Sequence, residues 1–375
     1  MSDMPKRLIL GYLPTNLCNL QCPYCYISQL EQWEKSQGTF SYHADHMVAC
    51  LSKERLGGTC LVNLTAQGET MLYREIVELV SGLLHEGHYV ELVTNLLATK
   101  RLESLLSLPG QEIAHLELKV SFHYFELKRK GLLERFFENV RKVAASPASF
   151  TLELMPHDEI EDEVNDIIAL CRAEVGAPCH VTVGRDDART DRSLLTAHTR
   201  DEYTNVWSAF DSPMFRFKMD LLDTKRREFC YAGSWTLWVD FSTGEARQCY
   251  GQPSNQNIFA DSAKPIKFIP VGKHCVEPFC INGHAFLALG AIPSLDTPTY
   301  STVRDRETPE GEHWIKEPCR RFFSHRLKES NRELSEAEQR RNSIAFPFRF
   351  FVWALRSAPE TMKKIRTRLE KKHRA

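Results

Sequence analysis

Through its first half the chain alternates short, apolar, β-branched runs with longer amphipathic stretches, the rhythm of strand followed by helix. Strands are predicted at Leu8 to Leu13, Cys60 to Thr65, Tyr89 to Thr94, His115 to Phe122, Ser149 to Met155 and His180 to Gly184. Helices are predicted near His43 to Arg55, Leu72 to Glu86, Thr99 to Ser107, Leu132 to Ala145 and Glu159 to Val175. Gly57-Gly58, Gly87, Pro109-Gly110, Pro147 and Gly176 punctuate them. Six consecutive right-handed βα units place the chain in the α/β class, as a parallel sheet curled into an open partial (βα)6, TIM-like barrel. On that architecture chemistry belongs at the C-terminal ends of the strands. After about Arg185 the rhythm gives way to a polar stretch and then to a segment rich in Trp, Tyr, Gly and Cys. There Trp235 to Phe241, the turn Ser242-Thr243-Gly244, and Glu245 to Tyr250 read as a β-hairpin. The expected division is a barrel over 1–190, a helical connection over 191–225, a small cysteine-bearing domain over 226–320 and a basic, partly amphipathic helical tail over 321–375.

Composition narrows the class. Of 375 residues, 42% are hydrophobic and 26% charged, which suffices for a sizeable core and excludes a disordered polymer. No apolar run approaches the roughly 18 residues that span a bilayer; the longest is Ala285 to Ile292. The apolar run before Pro14 is too short for a secretory signal, so a cytoplasmic location is expected. In that reducing setting the 12 cysteines read as metal or redox ligands instead of disulfides. The net charge of −1 offers no general attraction to nucleic acid. It conceals an asymmetry: from Phe346 onward nine Lys or Arg face two Glu, giving +7 against −8 in the rest.

Immediately after the first strand, TNLCNLQCPYCYI sets Cys18, Cys22 and Cys25 in the spacing CxxxCxxC on a short loop. Three thiolates can each hold one iron of a 4Fe-4S cluster and leave the fourth iron open to a ligand; a zinc knuckle is the alternative. The arrangement resembles the radical S-adenosylmethionine superfamily. That resemblance implies a partial barrel, a 4Fe-4S cluster on the three cysteines, and S-adenosyl-L-methionine chelated at the open iron. It also implies reductive cleavage to a 5′-deoxyadenosyl radical that abstracts a substrate hydrogen. Tyr24 matches the aromatic that sits by the adenine, and Gln67-Gly68-Glu69 matches the Gly-Gly-Glu motif that holds the amino group, with Gln in place of the first Gly. Thr94 and Asn95 resemble the pair ending the third strand, and Ser121 and His123 the ribose-contacting position ending the fourth. Arg185, past the sixth strand, is placed to meet a carboxylate of cofactor or substrate.

A second group is similar to the superfamily's auxiliary-cluster domains, in the shorter twitch form of the SPASM type. Cys230, thirteen residues, Gly244, four residues and Cys249 match the opening pattern, and Cys275 and Cys280 follow. The resemblance implies a second, fully ligated 4Fe-4S cluster; a four-cysteine zinc site is the alternative. The last pair, CVEPFC, has four intervening residues where the family has two, which makes Cys319 a substitute ligand or a hydrogen-atom donor. Cys50, Cys60, Cys171 and Cys179 read as small buried hydrophobes.

At the end of the chain, Phe350, Trp353 and Ala354 share one helical face of a basic segment that Pro359 is expected to divide, and that face is a candidate for peripheral contact with an anionic membrane. The reading is therefore an iron-sulfur enzyme served by an electron donor such as flavodoxin or ferredoxin. Its substrate is a peptide or a sugar-type molecule that is oxidised, crosslinked or epimerised, and no nucleic-acid partner is expected. The alternative is a non-catalytic iron-sulfur electron-transfer or metal-binding protein.

Overall fold

The structure is a computed structural model that describes residues 4–34, 36–189 and 191–356, and the backbone of 357–372. Its six parallel strands are β1 (Arg7–Leu13), β2 (Cys60–Ala66), β3 (Tyr89–Thr94), β4 (Leu116–Phe122), β5 (Ser149–Leu154) and β6 (His180–Val181). They lie side by side in chain order, with β6 at an edge, so the sheet is an open α/β barrel. Helices Ile76–His85, Thr99–Leu106, Leu133–Ala144 and Val164–Val175 form the crossovers. Their apolar stripes pack Leu79, Leu83, Phe136, Val140 and Ile167 into one core with Leu92, Leu118, Val120 and Leu152 of the strands. The helix expected over His43 to Arg55 is two, Ala44–Cys50 and Lys53–Leu56, because Ser52 caps the second by accepting from the Arg55 N–H at 3.4 Å. The one expected from Glu159 opens as a 3₁₀ turn over Asp158–Glu163.

The cysteine-bearing segment extends the same sheet. β7 (Thr236–Asp240) lies parallel to β1 on the side away from β2, with Leu8 opposite Thr236 and Tyr12 opposite Asp240. β8 (Glu245–Arg247) returns antiparallel and β9 (Gln256–Asn257) completes nine strands. Gly244 makes the hairpin possible: its φ is +78°, and a Cβ there would stand 2.5 Å from Phe259 Cβ.

The inner face of the barrel is polar. Along β4, Leu116, Leu118, Val120 and Phe122 point out to the helices while Glu117, Lys119 and Ser121 point in; on β5, Thr151 and Glu153 do the same. A parallel strand covered on both faces normally reads as an unbroken apolar run, so these inward carboxylates need partners. Arg304, at the end of the helix Tyr300–Arg304, supplies them from below. It is 0% exposed and donates from Nη1 to Glu153 Oε1 at 2.7 Å and from Nη2 to Glu117 Oε1 at 2.7 Å. Tyr300 and the Asn63 amide both donate to Glu91. This network closes the N-terminal end of the barrel and leaves the other end open.

A helix over Glu336–Lys372 ends the described chain. Pro359 does not divide it; a proline deletes one ladder bond and the chain continues when the freed carbonyl is satisfied elsewhere. Pro347 shows how: the Ser343 carbonyl that it cannot serve accepts from His274 Nε2 at 2.9 Å. The His274 ring also lies on Phe346, centroids 4.9 Å apart and planes 1° from parallel. Of the face the sequence offered to a membrane, Trp353 is buried together with Phe346, while Phe350 and Ala354 are half-buried, and the exposed large apolar residues among the described part of this helix are Ile344, Phe348, Phe351 and Leu355. Among the described residues no helix is long and apolar enough to cross a membrane.

Candidate functional site

β1 ends at Leu13, and the loop that follows is stitched to the loop after β2. The Gly68 N–H donates to Thr15 O at 2.7 Å and the Glu69 N–H to Leu17 O at 2.9 Å. So close an approach of two backbones admits only glycine at 68, where a Cβ would lie 2.2 Å from Leu17 O. Tyr26 adds a bond from its hydroxyl to Gln67 O at 2.6 Å. This stitching turns Cys18, Cys22 and Cys25 toward a single cavity of about 270 Å³ at the C-terminal ends of β1 to β4. Burial pushes all three thiols up, Cys18 to about 12, and each is raised further by a neighbouring ionisable side chain. Thiols so placed ionise when metal replaces their protons, and three soft donors on one short loop fit a cluster with an open position.

Glu69 is 2% exposed and works first as a clasp. Its Oε1 accepts from the Met71 N–H at 2.9 Å and the Thr94 hydroxyl at 2.6 Å, and its Oε2 from the Asn95 N–H at 2.7 Å. A carboxylate offers about four acceptor positions, so one remains for an incoming cation. Burial raises the Glu69 carboxyl against these three donors. Thr94 therefore holds Glu69, while the Asn95 amide donates to Asn19 Oδ1 at 2.6 Å beside Cys18. On the opposite wall the Tyr24 hydroxyl meets His123 Nδ1 at 3.1 Å, the rings stacked 5.8 Å apart. Burial lowers His123 to about 4, so the ring is neutral near pH 7.

Ser121 and His123 also line a second cavity of about 320 Å³, so the two spaces share a wall. Arg185 lines this second cavity and not the first, with its Nη1 donating to Ile281 O at 3.2 Å. Beyond it lie Tyr250, Phe279, Cys280 and Asn282, which also border the space lined by Cys230, Cys249 and Cys275. Burial pushes the thiols of Cys230, Cys249 and Cys280 up, and the nearby Cys275 raises each of the three further, so the four lie close together. The four-residue spacing between Cys275 and Cys280 is thus no obstacle to their meeting Cys230 and Cys249. Cys319 is elsewhere: 0% exposed, it donates to Ala114 O at 3.2 Å beside Tyr89 and Phe322 at the closed end of the barrel. That end is remote from both thiol groups, which corrects its expected role as ligand or hydrogen donor. Cys50, Cys60, Cys171 and Cys179 are each 0% exposed, as expected of small core residues.

Sequence reasoning missed Asn19, Lys119, Glu153, Lys218 and His284. Lys119 carried a signal, since it stands two residues before Ser121 on the same strand face. Lys218 and His284 lie on separate helices that reach the cavity only through the tertiary fold.

No protein-family model and no curated protein matches the sequence. Among solved structures, the chain is similar to anSMEcpe with bound AdoMet, at 14% identity and a TM-score of 0.50, over 92% of this chain and 95% of that one. It also aligns with Streptococcus suis SuiB bound to S-adenosylmethionine, at 14% identity and a TM-score of 0.46, over 70% of this chain and 65% of that one. The chain thus spans about two thirds of the length of SuiB. BtrN in complex with AdoMet and 2-DOIA aligns at 14% identity with a TM-score of 0.36, over 70% and 81%. At that identity the likeness to anSMEcpe is one of fold, an open, mostly parallel α/β sheet.

Proposed function

We propose that this chain is a radical S-adenosylmethionine enzyme whose hydrogen abstraction takes place in the cavity between two cysteine groups. The observation that carries the reading is the convergence of Cys18, Cys22 and Cys25 on a cavity that shares Ser121 and His123 with a second, larger one. Cys18, Cys22 and Cys25 would hold a 4Fe-4S cluster, which with bound S-adenosyl-L-methionine would supply the one-electron reduction and radical chemistry for hydrogen abstraction. The chain's own residues bind and orient. Glu69 offers its last acceptor position to the ammonium, Tyr24 and His123 fix each other beside the adenosyl site, and Ser121 faces the wall common to both cavities. Leu20, Ile27, Trp33, Val93 and Met155 give the first cavity an apolar lining that excludes water.

Cys230, Cys249, Cys275 and Cys280 would hold an auxiliary 4Fe-4S cluster that accepts the substrate's electron in a net oxidation. If the hydrogen is instead returned, the outcome is epimerisation. The substrate is a peptide or a sugar-type molecule, and a flavodoxin or ferredoxin supplies the electron. The exposed stripe of Ile344, Phe348, Phe351 and Leu355 on a basic helix supports peripheral contact with an anionic membrane. The test of the reading is spectroscopic. Reconstituted protein should show the electron paramagnetic resonance signal of a reduced 4Fe-4S cluster that shifts on adding S-adenosylmethionine. A Cys18, Cys22, Cys25 triple Ala variant should lose that response; its survival in the variant would refute the assignment.

A further inference from the structure

We propose that the substrate is anchored by an anionic oxygen group, a phosphate or a carboxylate, held in the cavity between the two cysteine groups by Lys119, Lys218 and Arg185. This deepens the proposed function, because it assigns chemistry to the part of the cavity that the cofactor does not use.

The cavity walls carry three cations and one carboxylate, Glu153. That carboxylate is oversubscribed. Its Oε1 already binds Arg304 at 2.7 Å and lies 3.4 Å from Lys119 Nζ, while its Oε2 lies 3.7 Å from Lys218 Nζ. The remaining partners of the two lysines are neutral: Lys119 meets His284 Nε2 at 3.1 Å and Lys218 donates to Thr182 Oγ1 at 2.6 Å. Arg185 forms no ion pair among the described residues and bonds only to a carbonyl, Ile281 O. The carboxylates deeper in the barrel, Glu91 and Glu117, are engaged by Arg304, Tyr300 and Asn63, and Lys119 also attracts both, so the surplus positive charge rests chiefly on Lys218 and Arg185.

Burying charge without a partner is costly. Lys119 and Lys218 are nonetheless 13% and 14% exposed, and that exposure is to the cavity. Their excess is visible in Lys218, which burial and the neighbouring Lys119, Arg185 and Arg304 push down to about 7 despite Glu153. An anionic oxygen group entering here would restore the balance, with Arg185 offering a planar pair of donors and the lysines point charges. Its position would hold the rest of the substrate toward Ser121 and His123, the wall shared with the adenosyl site.

The test uses the full chain with both clusters reconstituted. Thermal unfolding is followed with inorganic phosphate or acetate as probes, against chloride at equal ionic strength. We expect a saturable rise in unfolding temperature with at least one of the two anions. The apparent affinity for that anion should weaken by about tenfold in Lys218→Met and in Arg185→Gln, and be largely kept in Lys218→Arg. A larger response to phosphate identifies a phosphorylated substrate and a larger response to acetate a carboxylate. No rise with either anion in the wild type, or an equal rise in the two charge-removing variants, overturns the proposal. Release of 5′-deoxyadenosine is read on the same samples, so a protein that makes radical but ignores both anions refutes the anchor alone. One that binds anion yet never cleaves S-adenosylmethionine supports the anchor and counts against the radical reading.

Discussion

At the scale of the residue, Glu69 and Gly68 show how few positions hold the site. The Glu69 carboxylate closes three bonds and keeps one acceptor position, so Glu69→Gln puts an amide donor against donors. It should weaken S-adenosylmethionine binding by at least about tenfold, in line with about 1.5–3 kcal/mol for a hydrogen bond to a charged group; equilibrium binding measures it. Gly68→Ala forces the cluster loop away from Leu17 O, costing about 1–3 kcal/mol of stability and lowering the iron retained after reconstitution. Lys218 supplies a pH signature. Facing it are Glu153, Lys119, Arg185, Arg304 and His284, and its folded value of about 7 lies below the ordinary lysine range. Between about pH 7 and about pH 10 the unfolded chain then binds more protons than the folded one, so stability rises with pH over that window. In denaturant titrations of the metal-free protein, the wild type should gain on Lys218→Met as pH rises from about 7.5 to about 9.5; a constant gap would place Lys218 in the ordinary lysine range. The cysteine loop was legible in its spacing, and the Gly68-Glu69 pair in its resemblance to the superfamily's motif after the second strand. The cations of the second cavity were not, because their meaning lies in which carboxylates are already taken.

At the scale of the element, the strands were legible because apolar runs bounded by Gly and Pro leave few alternatives, and all six were found. The alternation in HLELKVSF marked a strand, yet it also encoded a polar lumen. That became visible only once Arg304 was seen to enter it from 151 and 187 residues away in sequence, to meet Glu153 and Glu117. The final helix was read on the wrong face for a similar reason: Phe350, Trp353 and Ala354 look like a solvent-facing apolar stripe until Trp353 is seen to be buried beside Phe346, on which His274 stacks. The outward stripe of Ile344, Phe348, Phe351 and Leu355 follows the 4-3-4 spacing of one helical face. The double variant Phe348→Glu, Phe351→Glu should abolish cosedimentation with anionic vesicles and leave S-adenosylmethionine cleavage unchanged. Wild-type protein that ignores such vesicles would remove the membrane from the account.

At the scale of the whole molecule, one sheet carries both cysteine groups, because β7 continues the barrel from β1 and sets the hairpin of Cys230 and Cys249 beside the open end. Arg185 ties the loop after β6 to Ile281, next to Cys280, so the cavity between the groups has walls from both halves of the chain. The continuity of the cavity of Cys18, Cys22 and Cys25, the cation-lined cavity and the second thiol group supports the proposed enzyme over a pure electron carrier, which would need no enclosed space between its centres. The most direct measurement is the release of 5′-deoxyadenosine by anaerobically reconstituted protein given S-adenosylmethionine and dithionite, alongside the Cys18, Cys22, Cys25 triple Ala variant. The account predicts release by the wild type and none by the variant. Equal release by both, or none from wild-type protein whose iron and sulfide content shows full clusters, would contradict it.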